Sequence, residues 1–451
     1  MSEELFAPIF VPNKIREAVG GRAWLQAMLD AERALALAEA RIGLIPPEAA
    51  EAIAGCCDAD RFDVVEIGHS GRASGNPVPA LVKVLTDAVS EVSEDAARHV
   101  HKGATSQDIM DTAAMLVSRR VLDLVLAELD GLAAACASLA EEHRTTLMAG
   151  RTLMQQALPT TFGLKAAGWL VSLLEARRRL RMVRDEGLAV QLGGAAGTLA
   201  SLGSSGIEVL RAFADELGLA EPVVPWHTAR FRVADLGSAL SLAAGTAHKI
   251  ALDVILMSQT EVGEVAEPSG GGRGGSSTLP HKRNPVGSVI ATACARRVYP
   301  LAVALQSAMA QEHERAAGAW HSEWDTLGET LALTGGAVAS MRETLEGIEV
   351  HTERMKENLG ITDGLILAER VTTVAAEKIG RLEAHELVQA ASHRAVESGR
   401  SLREELADEP GLRDALSEED LDAALDPEGY LGSAEAFVDR ALELYRKEGL
   451  G

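Results

Sequence analysis

Apolar residues recur at three- and four-residue spacing through most of the chain, and the alternation that marks half-buried strands is nearly absent. Residues 231–267 give the clearest case. Leu236, Leu240, Ala243, Ala244, Ala247, Ile250, Ala251, Val254 and Met257 form one stripe, and small residues such as Gly237, Ala239 and Gly245 cover much of the rest. A helix so apolar all round must be covered on several sides. At 1.5 Å per residue it would run about 55 Å, a length suited to bundles. Residues 111–142, 160–186, 285–312 and 322–347 predict similar helices. Proline, which breaks helix interiors, is missing from 80–158, 160–221, 226–267 and 301–409. The pattern predicts an all-α protein of three helical domains. These are an N-terminal domain over 1–110, a central bundle of long helices over 111–355, and a C-terminal domain over 356–451.

Composition narrows the class. The 451 residues are 47% hydrophobic but only 3% aromatic, so the core must be aliphatic. A net charge of −23 argues against nucleic-acid binding, which needs a basic face. It also means that an anionic substrate would need a locally cationic site. The four cysteines form no CxxC pair and no zinc-type spacing, which predicts reduced structural thiols in a cytoplasmic protein. MSEELFAPIF lacks a basic start before an apolar stretch, so no signal peptide is expected. No uninterrupted apolar run of about 18 residues occurs, so no membrane span is expected either.

Three segments carry candidate chemistry. The first is GGSSTLPHKRNP at 274–285, preceded by glycines within the stretch 269–285. Glycines allow close approach of backbone to ligand, and the segment sets hydroxyls, cations and an amide at fixed offsets. It predicts a loop that closes over an anion and excludes water. Gly270, Gly272 and Gly275 fit G-x-G-x-x-G, but no strand precedes them, which discards a dinucleotide site. The second is HKGATSQDIMDT at 101–112, where Thr105, Ser106 and Asp108 also suit a helix start. An anion site and a cap are compatible there, because helix N-termini favour anions. The third is GRTLMQQALPT at 150–160.

The first segment resembles the GSSxMPxKxNP loop of the fumarase/aspartase superfamily, with Leu279 for the usual Met. The others resemble that family's HxGxTSxDxxxT and GRTHxQxAxPT regions. The resemblance implies that Ser276, with Ser277 as runner-up, moves a proton alpha to a carboxylate, with Lys282 as its catalytic partner. It implies substrate binding by His101, Thr105, Ser106, Gln107, Arg151, Gln155, His227, Arg230, Ser277, Asn284 and Arg315. No metal or cofactor is implied. It also implies a homotetramer whose active sites are shared between subunits.

The chain departs from the family at Leu153, which stands where the third segment usually has histidine. That histidine serves members that expel an amine or hydroxide, groups that need a proton to leave. A carboxylate, whose acid has a pKa near 4, leaves unaided. Leu153 therefore argues against adenylosuccinate, argininosuccinate and fumarate chemistry. Further likeness to the bacterial 3-carboxymuconate cycloisomerase branch covers nearly the whole chain: GNPVPALVK, QLGGAAGTLASLG, PWHTAR, GEVAEP and QEHERAAGAWHSEW. It implies a small tricarboxylate substrate that closes to a lactone. Another lyase of the superfamily, adenylosuccinate lyase-like or eliminating nitrite from a nitrosuccinate-like substrate, and a non-catalytic helical protein are the alternatives. Taken alone, a lone helix arginine such as Arg315 is more often a solvated or ion-paired residue.

Overall fold

The structure is a computed structural model and describes residues 5–268, 274–275, 279 and 282–450. It is dominated by helices. The elements used below are α1 (Gly21–Arg41), α2 (Ser106–Glu142), β1 (Leu147–Thr152), β2 (Gln155–Thr161), α3 (Phe162–Met182), α4 (Phe231–Met257), α5 (Val286–Ser307) and α6 (Ala319–Glu346). At 37 residues, α2 is about 55 Å long. The stripe predicted on α4 is buried throughout: Leu236, Leu240, Ala243, Ala247, Ile250 and Val254 are each 0% exposed. Pro300 lies inside α5 without ending it. It sits between buried Val298 and Ala302, whose packing offsets the lost backbone hydrogen bond.

The all-α reading holds, with little sheet, and one expectation is corrected. The helix predicted to reach 267 ends at Met257. Beyond it Gly263 takes φ +62°, a left-handed turn open to glycine, and Val265–Ala266 pairs antiparallel with Glu349–Val350. Strand structure, read as nearly absent, also includes the β1–β2 hairpin. Its turn is Leu153–Met154, two residues with none of the usual turn chemistry.

The described chain gathers into two compact units, each drawn from three stretches. The first comprises 1–129, 175–249 and 290–341. There α1 packs against Pro47–Cys56 and Gly206–Leu217, burying Leu25, Leu29, Leu35, Ile53 and Phe213. The second comprises 130–174, 250–289 and 342–451. Its aliphatic centre is built by Ala368–Ile379 and Arg381–Ser398, with Val371, Ala375, Ala384, Val388 and Leu402 buried. All four cysteines are free and buried.

By length and composition α4 and α5 could each cross a bilayer, with 44% and 39% of their most apolar stretches buried within the protein. A run-length criterion alone does not detect them, because small and polar residues interrupt both.

Candidate active site

The 101–112 segment opens α2, and its polar side chains turn inward. Asp108 is 0% exposed and acts as a hub. Its carboxylate accepts from the backbone N–H groups of Thr105, Gly193 and Gly194, each at 2.9 Å. His227 Nε2 lies 2.7 Å from the same carboxylate. One buried acid thus ties the helix start to the 191–203 and 225–230 segments. The cap reading of Thr105 and Asp108 is realised in reverse, with the acid accepting from the threonine N–H.

One turn on, Asp111 receives the Arg230 guanidinium at 2.7 and 2.9 Å and Trp320 Nε1 at 3.0 Å. Arg230 also grips Glu323, at 3.0 Å through Nε, and lies over the Trp226 ring at 4.8 Å. Arg230 is 2% exposed. Burial works against its charge, but Asp111 and Glu323 outweigh it and raise its pKa. Burial likewise pushes the Glu323 carboxyl up.

Gln107 is fully buried. Its amide donates to Asp111 at 3.1 Å and to the His227 carbonyl at 2.8 Å. Its oxygen accepts from Arg315 Nε at 3.1 Å. Arg315 is exposed, on a loop pinned by Thr228 Oγ1 donating to the His313 carbonyl and by Ala317 N–H donating to Glu312, both at 2.9 Å. Gln107, His227 and Arg230 therefore form a closed polar scaffold, and Arg315 is the cation that scaffold presents. His101 is half-buried, with Nδ1 2.6 Å from Glu32. Thr105 and Ser106 are half-buried at the helix mouth.

Behind His101, Glu39 is 0% exposed and neither carboxylate oxygen has a partner among the described residues. Burial pushes its pKa from 4.5 to about 8. At pH 7 the folded carboxyl keeps a proton that the unfolded one has released. Stability therefore falls as pH rises from about 4.5 to about 8 and levels off above that. Glu39→Gln is expected to flatten this slope by up to about 1.4 kcal/mol per pH unit, read as the difference between variant and wild-type Tm across that range. Parallel slopes would show that Glu39 does not titrate anomalously.

In the second unit, the β1–β2 hairpin carries the 150–160 segment. Leu153 and Met154 have φ of +49° and +68° and are 98% and 70% exposed. Two left-handed residues make the turn type favoured by hairpins, though normally with Asn or Gly. Gln155 is exposed opposite Thr152. Arg151 turns its guanidinium onto fully buried Glu264, at 2.7 and 2.9 Å. Asn358 Nδ2 also donates to Glu264, at 2.8 Å.

The base of the 274–285 segment is a clamp. The Gly274 carbonyl accepts from Asn284 N at 2.9 Å and Nδ2 at 3.2 Å. Gly274 has φ +69°, and a Cβ there would meet the Asn284 oxygen at 2.9 Å, so only glycine closes this base. Arg283 is bidentate to Glu349 at 2.7 and 2.8 Å, and Lys282 is exposed. Glu267 accepts from Gly287 and Ser288 N–H at the start of α5, each at 2.8 Å. Ser276 and Ser277 lie outside the described residues, as does Arg273.

The local cationic field is therefore narrower than the sequence suggests, since Arg151, Arg230 and Arg283 are each matched by acids. In the first unit Arg315 is exposed and His101 half-buried, and in the second Lys282 is exposed. Sequence reasoning assigned no site role to Asp108, Asp111, Glu323, Gln191 or Glu32, although the first four lie inside quoted segments; Gln191, for one, donates to Asp111 at 3.2 Å and accepts from Trp226 N–H at 2.9 Å.

Residues 12–299 match the family described as Lyase, and residues 364–441 the one described as Adenylosuccinate lyase C-terminus. The chain is 47% identical over 444 residues to a 3-carboxy-cis,cis-muconate cycloisomerase of Bradyrhizobium diazoefficiens, covering 98% of each chain. It is 45% identical to a nitrosuccinate lyase of Streptomyces davaonensis, covering 97% of this chain and 94% of that one. The crystal structure of 3-carboxy-cis,cis-muconate lactonizing enzyme from Pseudomonas putida superposes with a TM-score of 0.94 at 44% identity, covering 98% of this chain and 99% of that one. With the helical architecture and the three segments, these matches place the chain in the fumarase/aspartase superfamily.

Proposed function

We propose that this enzyme converts 3-carboxy-cis,cis-muconate into 4-carboxymuconolactone. The observation that carries the reading is end-to-end likeness to a cycloisomerase at 47% identity. Leu153 agrees with it, because a chain with no acid at that position suits an oxygen that reacts without protonation.

One substrate carboxylate oxygen forms a bond to an alkene carbon. The neighbouring carbon, alpha to another carboxylate, takes up the proton given by the Ser276 hydroxyl. The trianion becomes a lactone dianion with the gain of one proton, which Ser276 delivers to carbon and regains from solvent before the next turnover. The doubly charged aci-carboxylate formed on the way needs preorganised donors. Lys282, Arg315, His101 and the helix mouth at Thr105–Ser106 fill that role. Gln107, His227 and Arg230 hold Arg315 in place, Arg151 fixes the hairpin, Gln155 lies beside its tip, and Asn284 closes the base of the segment at Gly274.

The enzyme works as a homotetramer in the cytoplasm, without metal or cofactor, each site taking segments from three subunits. The strained, exposed Leu153–Met154 tip and the half-covered apolar helices α4 and α5 support an assembly that covers them. An ultraviolet assay decides the function. The diene absorbance of 3-carboxymuconate should fall on adding enzyme, with EDTA present and no nucleotide. Inhibition by EDTA would overturn the metal-free reading. Nitrite release from nitrosuccinate or turnover of adenylosuccinate, with 3-carboxymuconate untouched, would overturn the substrate.

A further inference from the structure

We propose that Glu32 is a positioning residue that acts through His101, holding the ring so that Nε2 is offered as a hydrogen-bond donor to a substrate carboxylate. The inference rests on the reading of His101 as a carboxylate ligand. Glu32 lies inside α1 and is 1% exposed. Its Oε1 is 2.6 Å from His101 Nδ1, and its Oε2 is buried with no partner among the described residues. A half-satisfied carboxylate in the core costs stability, and a purely packing role gives no reason to keep one there.

His101 itself sits at φ +57°, a conformation uncommon for residues other than glycine. The ring is 18% exposed, so one edge faces the buried acid while part remains accessible. Binding Nδ1–H to a carboxylate fixes the ring plane. It also favours the imidazolium, in which both nitrogens donate.

The surroundings are arranged to the same end. Glu39 lies two helical turns after Glu32, on the same face of α1. Lys102, next in the chain, donates Nζ to the Leu44 carbonyl at 2.9 Å. Asp108 faces the ring from α2 but is already met by three backbone N–H groups and His227. Glu32 is thus the acid that touches the imidazole. Burial pulls the His101 pKa down, but the charge and hydrogen bond of Glu32 outweigh it, with Asp108 adding to the rise.

The test uses the assembled enzyme with 3-carboxymuconate, comparing wild type, Glu32→Gln, Glu32→Asp and His101→Gln from about pH 6 to pH 9. Wild-type KM should stay level through neutral pH. Glu32→Gln should raise KM about tenfold at the upper end of the range, with little change in kcat, because the ring loses its proton at lower pH. Glu32→Asp, which keeps the charge, should restore much of the wild-type profile. A merely structural role would lower active enzyme at every pH and leave the profile's shape unchanged, which overturns the proposal. If His101→Gln raises KM while Glu32→Gln matches wild type, His101 remains a ligand and Glu32 is excluded. If His101→Gln leaves KM unchanged, the ligand reading fails and the proposal with it. Imidazole titration by NMR of histidine-labelled wild type is independent of turnover and of variant folding. A His101 pKa at or below the ordinary histidine value overturns the proposal.

Discussion

Ser276→Ala is expected to lower kcat by about 10³- to 10⁴-fold while 3-carboxymuconate still raises the Tm of the variant. The two readouts separate chemistry from binding. The lost hydroxyl is the proton donor of the proposed reaction, whereas the groups offered to the carboxylates, Lys282, Arg315 and His101, are untouched. The frame from which the loop hangs is also untouched. The Gly274 carbonyl stays clamped by Asn284, and Arg283 stays paired with Glu349. Ser277→Ala is the control and should leave kcat within about tenfold. If Ser277→Ala loses kcat by the larger margin while Ser276→Ala does not, the two adjacent hydroxyls exchange roles. Unchanged turnover in both single variants would remove the seryl proton donor altogether. Loss of thermal protection together with turnover would make Ser276 a binding residue instead.

The helical core was legible because a buried helix writes its environment as a period. Leu236, Leu240, Ala243, Ala247 and Val254 name the covered face of α4 without any knowledge of what covers it. The end of that helix was not legible from the same signal. Residues 258–262 continue the composition of a helix, and the left-handed turn at Gly263 depends on pairing with Glu349–Val350 far along the chain. The hairpin escaped for a related reason. Leu153–Met154 lacks turn residues, so its backbone follows from the flanking strands and not from local preference. The divisions at 110 and 355 describe order along the sequence, whereas the two compact units describe neighbours in space. Each unit gathers three stretches because long helices carry the chain away and back.

In the site, residue types were legible and pairings were not. The resemblance marked Gln107, His227 and Arg230 as substrate ligands, and the structure shows all three buried in one polar network. A sequence cannot show that Asp108 collects N–H groups from 105, 193 and 194, or that Glu323 waits for Arg230. Cations near a motif therefore overstated the positive charge available to an anion, since their acidic partners lie between 93 and 119 residues away for Arg230 and 113 for Arg151.

That distinction gives Arg230 two opposed expectations, and one substitution decides between them. As a substrate ligand, Arg230→Met would raise KM and leave stability nearly unchanged. As the centre of the buried network, it should destabilise the fold by about 3–5 kcal/mol, the scale for breaking a buried ion pair by removing one partner. The geometry favours the second outcome. Asp111 and Glu323 are 2% and 3% exposed, and methionine would leave both acids without their cation. Asp111 would keep Gln107 and Trp320 as donors, and Glu323 would keep Gln311 at 3.1 Å. Arg230→Lys should recover only part of the loss, because one ammonium cannot reproduce the forked contacts to two carboxylates. The consequence for activity follows from the chain Arg230–Asp111–Gln107–Arg315. With the Arg230 forks gone, Asp111 is held less firmly, and Gln107 and through it Arg315 lose part of their orientation. Arg230→Lys should therefore show a raised KM alongside a lowered Tm, the two moving together across further network variants such as Glu323→Gln. A raised KM at wild-type Tm would return Arg230 to the substrate.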